Sequence, residues 1–247
     1  MSIGSASDLE GLRRTGRVVA QTLAAMRAAV RIGMTTAELD RVAAETFARA
    51  GARSAPMVTY GFPGTTCISV NDEIVHGIPG PRRLAPGDVV KIDVTAELGG
   101  YVADAATTIL LPPVSAAARV LQQSARTALR EGLAAARAGQ LVSAIGRAIS
   151  AQAARDRCFV VRELCGHGVG RTIHEPPDVP NYEDTERHER LTDGLVIAVE
   201  PMFAAARSRA LASPDGWTIR TSTGAIAVHE EHTIVVTAGA PEILTAA

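Results

Sequence analysis

A chain of 247 residues with 47% apolar residues can bury a sizeable core as one large domain or two small ones. Its charges nearly cancel, to a formal −1, which leaves no basic patch for nucleic acid or an anionic membrane and argues against histones, tRNA or lipid as substrates. The absence of a secretory or twin-arginine leader and of any run of about 18 apolar residues predicts a soluble cytoplasmic protein, and three cysteines without a CxxC pair (Cys67, Cys158, Cys165) predict neither a disulfide framework nor a zinc knuckle.

Ser7 and Glu10 read as a capping box, followed by Leu12, Val19, Leu23, Met26 and Val30 at helical spacing until Gly33. Thr35 and Glu38 repeat the pattern ahead of Leu39, Val42, Ala43 and Phe47, and Gly51 closes this second helix. From 55 to 81 the texture turns to β-branched residues broken by glycine and proline, which predicts strands over 67–71 and 74–79 with His76 near a turn. The stretch 89–111 reads as a strand, a Gly99-Gly100 turn and a return strand. A two-residue turn there sets Asp93 opposite Ala106 and Asp104 opposite Thr95, so both aspartates share a face as diagonal neighbours roughly 7–8 Å apart at the backbone. Two carboxylates that close repel unless a proton or cation is shared, although two acids on a solvated sheet face fit these residues alone equally well. Alanine-rich helices follow over 115–138 and 141–155, separated by Gly139, and strands return from Cys158.

The order is two helices, strands, two helices, strands, and a finer repeat lies within it. Leu84-Ala-Pro-Gly-Asp-Val-Val-Lys-Ile-Asp93 and Leu191-Thr-Asp-Gly-Leu-Val-Ile-Ala-Val-Glu200 align without gaps, sharing leucine, glycine, valine and a final acid. A shared turn and strand ending in a carboxylate points to two related halves, each sending acids into one cleft.

The second half supplies further candidates: Cys165-Gly-His-Gly-Val-Gly170, Ile173-His-Glu-Pro-Pro177, Glu200-Pro-Met202 and Val228-His-Glu-Glu-His-Thr-Ile-Val-Val236. His167 between glycines leaves its imidazole unobstructed. His229 and His232 are three apart, not the four a helical zinc motif requires, and their β-branched neighbours predict a strand with Glu231 on the face of His229. Asp93, Asp104, Glu200 and Glu231 with His167 form an oxygen-rich set with one nitrogen, suited to two divalent ions such as manganese, iron or cobalt, with zinc possible. Two such ions can activate water and polarise a carbonyl, the requirement of peptide hydrolysis.

These blocks, with Tyr60-Gly-Phe-Pro63, Ser69-Val-Asn71, His76-Gly-Ile-Pro79 and Asp215-Gly-Trp-Thr218, resemble type I methionine aminopeptidases over nearly the whole chain. The resemblance implies an α+β, pita-bread fold: a single catalytic domain, 1–247, of two pseudosymmetric halves, roughly 1–112 and 113–247, with a central antiparallel sheet flanked by helices. It implies that Asp93 chelates one ion, Asp104 and Glu231 bridge two, and His167 and Glu200 complete the second, with Glu200 also moving the proton. His174 would steady the oxyanion and His76 would hydrogen-bond the substrate, while Phe62, Cys67, His76 and Trp217 line the methionine pocket. The implied reaction removes the initiator methionine from nascent chains and peptides with a small second residue. A cytoplasmic monomer is expected, with ribosome contact left open.

The sequence departs from the family at four places. Ile173 and Thr59 stand where aromatics are usual, Ala103 and Ala105-Ala106 flank Asp104 where glycine and hydroxyl residues are common, and His229 stands where glutamine is frequent. No zinc-binding N-terminal extension or late helical insertion is present, unlike eukaryotic type I and type II forms. The competing expectations are an X-Pro aminopeptidase or prolidase, whose additional N-terminal domain would not fit before Cys67, and a catalytically silent binding module, which would be expected to lose ligands.

Overall fold

The computed structural model describes residues 1–246. Helices α1 (Ala6–Ala29) and α2 (Thr36–Ala50) each start at a hydroxyl cap and bury an apolar stripe. Thr35 and Glu38 form the expected capping box. The cap of α1 differs from expectation: Ser5 is extended (φ −154°) and accepts from Asp8 N at 3.1 Å, whereas Ser7 already lies in the first turn. Strand β1 (Arg53–Ser54) leads into a short helix, α3 (Ala55–Tyr60), where strand-like texture was expected. Ser54 caps it, Pro56 suits its donor-free first turn, and left-handed Gly61 ends it, so its signals are caps and not periodicity.

After β2 (Cys67–Val70) and β3 (Glu73–Val75) comes the hairpin of β4 (Val89–Leu98) and β5 (Tyr101–Leu110). Gly99 and Gly100 take φ 61° and 83°, the paired left-handed geometry of a tight two-residue turn, and the register is the expected one, Asp93 against Ala106 and Thr95 against Asp104. Strand alternation then sorts the side chains. Val90, Ile92, Val94 and Ala96 pack on Leu23, Met26, Leu39 and Phe47 of α1 and α2, while Asp93 and Thr95 face the cleft.

The second half repeats the plan. Helices α4 (Ala116–Ala135) and α5 (Ser143–Arg155) are followed by β6 (Phe159–Val160), β7 (Cys165–Gly168), β8 (Glu175–Pro180), β9 (Val196–Val199), β10 (Met202–Ala204), β11 (Ala210–Ala212), β12 (Ile219–Thr221), β13 (Ala227–His229), β14 (His232–Val235) and β15 (Glu242–Ile243). Five of these strands form a sheet in the order β15-β14-β9-β7-β8, and Ile197, Val199 and Ile234 pack on Leu121, Leu129, Ile145 and Ile149 of α4 and α5. Burial of each such side chain contributes about 1.5–3 kcal/mol. The repeated turns match: Gly87 and Gly194, at φ 86° and 79°, each sit two residues before a strand. Antiparallel pairing of β3 with β12 ties the halves together. The strand expected over 228–236 is broken at Glu230-Glu231, where the chain passes from the β13–β10–β6 sheet to the five-stranded one.

Candidate metal centre

All the sequence-selected residues line one cavity of about 170 Å³: Asp93, Asp104, His167, Glu200 and Glu231 on its polar wall, with Phe62, Cys67, His76, His174 and Trp217 around them. Each is positioned by a different local device. Asp93 and Asp104 come from the hairpin. His167 rides on β7, where the flanking glycines permit close approach of neighbouring strands: a Cβ at Gly166 would lie 2.3 Å from Ala198 O, and one at Gly168 2.3 Å from Pro176 O. Glu200 follows β9, its carbonyl held by Asn181 Nδ2 at 3.0 Å. Glu231 leaves the break between β13 and β14, its N–H donating to Ala106 O of the hairpin at 2.9 Å. Its neighbour Glu230 turns the other way, to Arg126 Nε at 3.1 Å and Thr107 Oγ1 at 3.2 Å.

One oxygen or nitrogen from each of Asp104, His167 and Glu231 falls within a 4.8 Å sphere of mutual distances. His167 Nδ1 donates to Gly168 O at 2.9 Å, which leaves the Nε2 lone pair facing Glu200 Oε1 at 3.5 Å. Asp93 Oδ1 and Glu231 Oε1 are buried without a hydrogen-bond partner. Burial pushes Glu200 up to about 8, and burial reinforced by neighbouring carboxylates pushes Asp93 and Glu231 well above the usual carboxylate range. Asp104 is raised less, being relieved by His167 and by Thr95 Oγ1, which donates to Asp104 Oδ1 at 2.9 Å. Four mutually repelling carboxylates, orphaned acceptors and a free imidazole lone pair are the donor set that hard divalent cations require, so the residues fit a metal centre.

The rest of the cavity is apolar. Phe62 and Trp217 meet edge to face with centroids 5.2 Å apart, and Ile173 and Met202 complete the wall. Burial holds His76, His174 and His229 at about 4, neutral at neutral pH. The departures resolve locally. Thr95 on the facing strand supplies the hydroxyl that Ala103, Ala105 and Ala106 lack. His229 faces the cleft, with Nε2 3.3 Å from Glu200 Oε2 and 3.8 Å from Glu231 Oε2. Tyr60, not the exposed Thr59, lines the cavity, and its hydroxyl reaches His174 Nδ1 at 2.8 Å. Thr95, Tyr60 and Met202 were given no role by the sequence, although Tyr60 and Met202 lie within the motifs at 60–63 and 200–202 and the hairpin register sets Thr95 opposite Asp104.

The two-layered halves and their carboxylate-rich cleft define the class, a metallopeptidase. The chain belongs to metallopeptidase family M24, which it matches over residues 10–238. It is 39% identical to methionine aminopeptidase 2 of Bacillus subtilis, covering 99% of both chains. A methionine aminopeptidase from Thermotoga maritima superposes with a TM-score of 0.96 at 31% identity and full coverage of both chains. Prolidase from Pyrococcus furiosus shares the fold at a TM-score of 0.76 and 20% identity, the present chain spanning 65% of its length. The fold is therefore the pita-bread, α+β arrangement with pseudosymmetric halves. Among the described residues no helix is long and apolar enough to cross a membrane.

Proposed function

We propose that this chain hydrolyses the peptide bond after an N-terminal methionine, in peptides and nascent proteins whose second residue is small, using two divalent ions. It acts on peptide N-termini as one catalytic unit whose halves, 1–112 and 113–247, supply complementary donors. The observation that carries the proposal is the junction of a carboxylate and imidazole wall with an apolar slot in one cavity. A methionine thioether suits a slot walled by Phe62, Cys67, Met202 and Trp217.

In this proposal Asp93, Asp104, His167, Glu200 and Glu231 hold the ions. Bound there, manganese, iron, cobalt or zinc supplies Lewis acidity toward the carbonyl and lowers the pKa of water. The chain does the rest. Glu200, whose carboxylate lies beside two imidazoles, takes the proton from the attacking water and passes it to the leaving amine. His174, kept neutral by burial, donates to the developing oxyanion, and His76 orients the substrate. Phe62, Cys67 and Trp217 exclude water from the methionine side chain.

Purified protein loaded with manganese or cobalt is expected to release methionine from Met-Ala peptides and leave Met-Lys peptides nearly intact. Equal turnover of both removes the size selectivity, and preference for X-Pro peptides reassigns the site. We further propose a cytoplasmic monomer that meets chains as they leave the ribosome; sedimentation of the protein with and without ribosomes tests the monomer and the ribosome contact.

A further inference from the structure

We propose that Tyr60 is a positioning residue that fixes the tautomer of His174 so that Nε2 carries the proton. The inference deepens the reading above and rests on it for the oxyanion role of His174. Tyr60 ends the short helix α3 of the first half, His174 precedes β8 of the second, and the hydrogen bond between Tyr60 Oη and His174 Nδ1, 2.8 Å, joins them across the cavity mouth.

A neutral imidazole has one N–H and a phenol one O–H, so only two arrangements are open. Either Nδ1–H donates to Oη and Nε2 is a lone pair, or O–H donates to Nδ1 and Nε2 bears the proton. The chemistry of the two groups chooses the second: phenolic oxygen is a better donor than acceptor, and a neutral imidazole nitrogen is a strong acceptor. Nδ1 then accepts from Tyr60 and Nε2–H remains to donate, on a ring whose centroid is 4.3 Å from that of His167. Tyr60 is itself 48% exposed, so core packing does not account for the placement of its hydroxyl; the bond to His174 does.

Phenylalanine at this position keeps the ring on the cavity lip and removes only the donor. In zinc-loaded protein carrying ¹⁵N-histidine, long-range ¹H–¹⁵N spectra are expected to show His174 as the Nε2–H tautomer in the wild type and shifted toward Nδ1–H in Tyr60→Phe. With Met-Ala peptides, Tyr60→Phe should lower kcat roughly tenfold, a fraction of the cost of deleting an oxyanion donor outright, with KM within about twofold. The loss should vanish when Tyr60→Phe is added to His174→Ala. An Nδ1–H tautomer in the wild type, a defect wholly in KM, or an equal loss in the His174→Ala background overturns the assignment. If the spectra behave as expected while neither protein cleaves Met-Ala, the positioning role stands and the aminopeptidase reading falls.

Discussion

His229 Nε2 lies 3.3 Å from Glu200 Oε2, and His167 Nε2 lies 3.5 Å from the other oxygen of that carboxylate, Oε1. Both nitrogens of His229 are buried without another partner, so its polar edge serves the carboxylates alone. His229→Ala should weaken metal binding by roughly 10–100-fold, as loss of a group supporting ligands does, while His229→Gln, which retains a donor, recovers most of it. Titration calorimetry with manganese reads both variants, and equal affinities for alanine and wild type would refute the role.

Thr95 Oγ1 donates to Asp104 Oδ1 at 2.9 Å, the hydroxyl that compensates for the alanines beside that aspartate. Thr95→Val preserves the shape and β-propensity of the strand. It should lower metal affinity by about tenfold or more with an unchanged circular dichroism spectrum. Unaltered affinity would mean that Asp104 is oriented by backbone alone.

Metal binding should release protons. Glu200, raised by burial from 4.5 to about 8, keeps a proton at pH 7 in the metal-free fold that the unfolded chain has lost. Its contribution to folding stability is therefore full below about 4.5 and lost as pH rises through about 8. A cation must displace that proton, so apparent affinity rises from pH 6.5 to 8. Calorimetry in two buffers of different ionisation enthalpy should register net release, and buffer-independent heats would contradict it.

Gly166→Ala places a methyl group against the backbone of β9, 2.3 Å from Ala198 O. Overpacking of this kind costs about 1–3 kcal/mol, so the melting temperature should drop by several degrees. Because β9 delivers Glu200, metal affinity should fall with it. A variant melting within a degree of wild type would show that the strands can separate without penalty.

The hairpin and its two aspartates were legible because a Gly-Gly turn and period-two alternation determine register locally. The meeting of Asp93, Asp104, His167, Glu200 and Glu231 in one cavity was legible because their motifs are distinctive in type and order, whereas the apolar residues beside them came from the family resemblance alone. The helix α3 was not, since six residues show no periodicity and only its caps mark it. The break at Glu230-Glu231 escaped for the opposite reason: the flanking sequence is strand-like on both sides, and the switch between sheets is set by where Ala106 and Arg126 wait to receive the two glutamates. Tyr60 and His174 lie far apart in the chain, and no local pattern announces that they meet.

Asp104 is bound to the second half by more than any cation. Its N–H donates to Thr233 Oγ1 at 2.9 Å, and the same hydroxyl donates to Asp104 O at 2.7 Å, while Glu231 N reaches Ala106 O two residues on. The floor of the cleft is thus a weld between the two sheets, closed before any metal arrives. Sliding or parting of the halves would break those bonds, which therefore oppose any change in the spacing of the donors. On the proposed activity, a peptide terminus would enter and leave past Tyr60 and Trp217 with the two halves held in place.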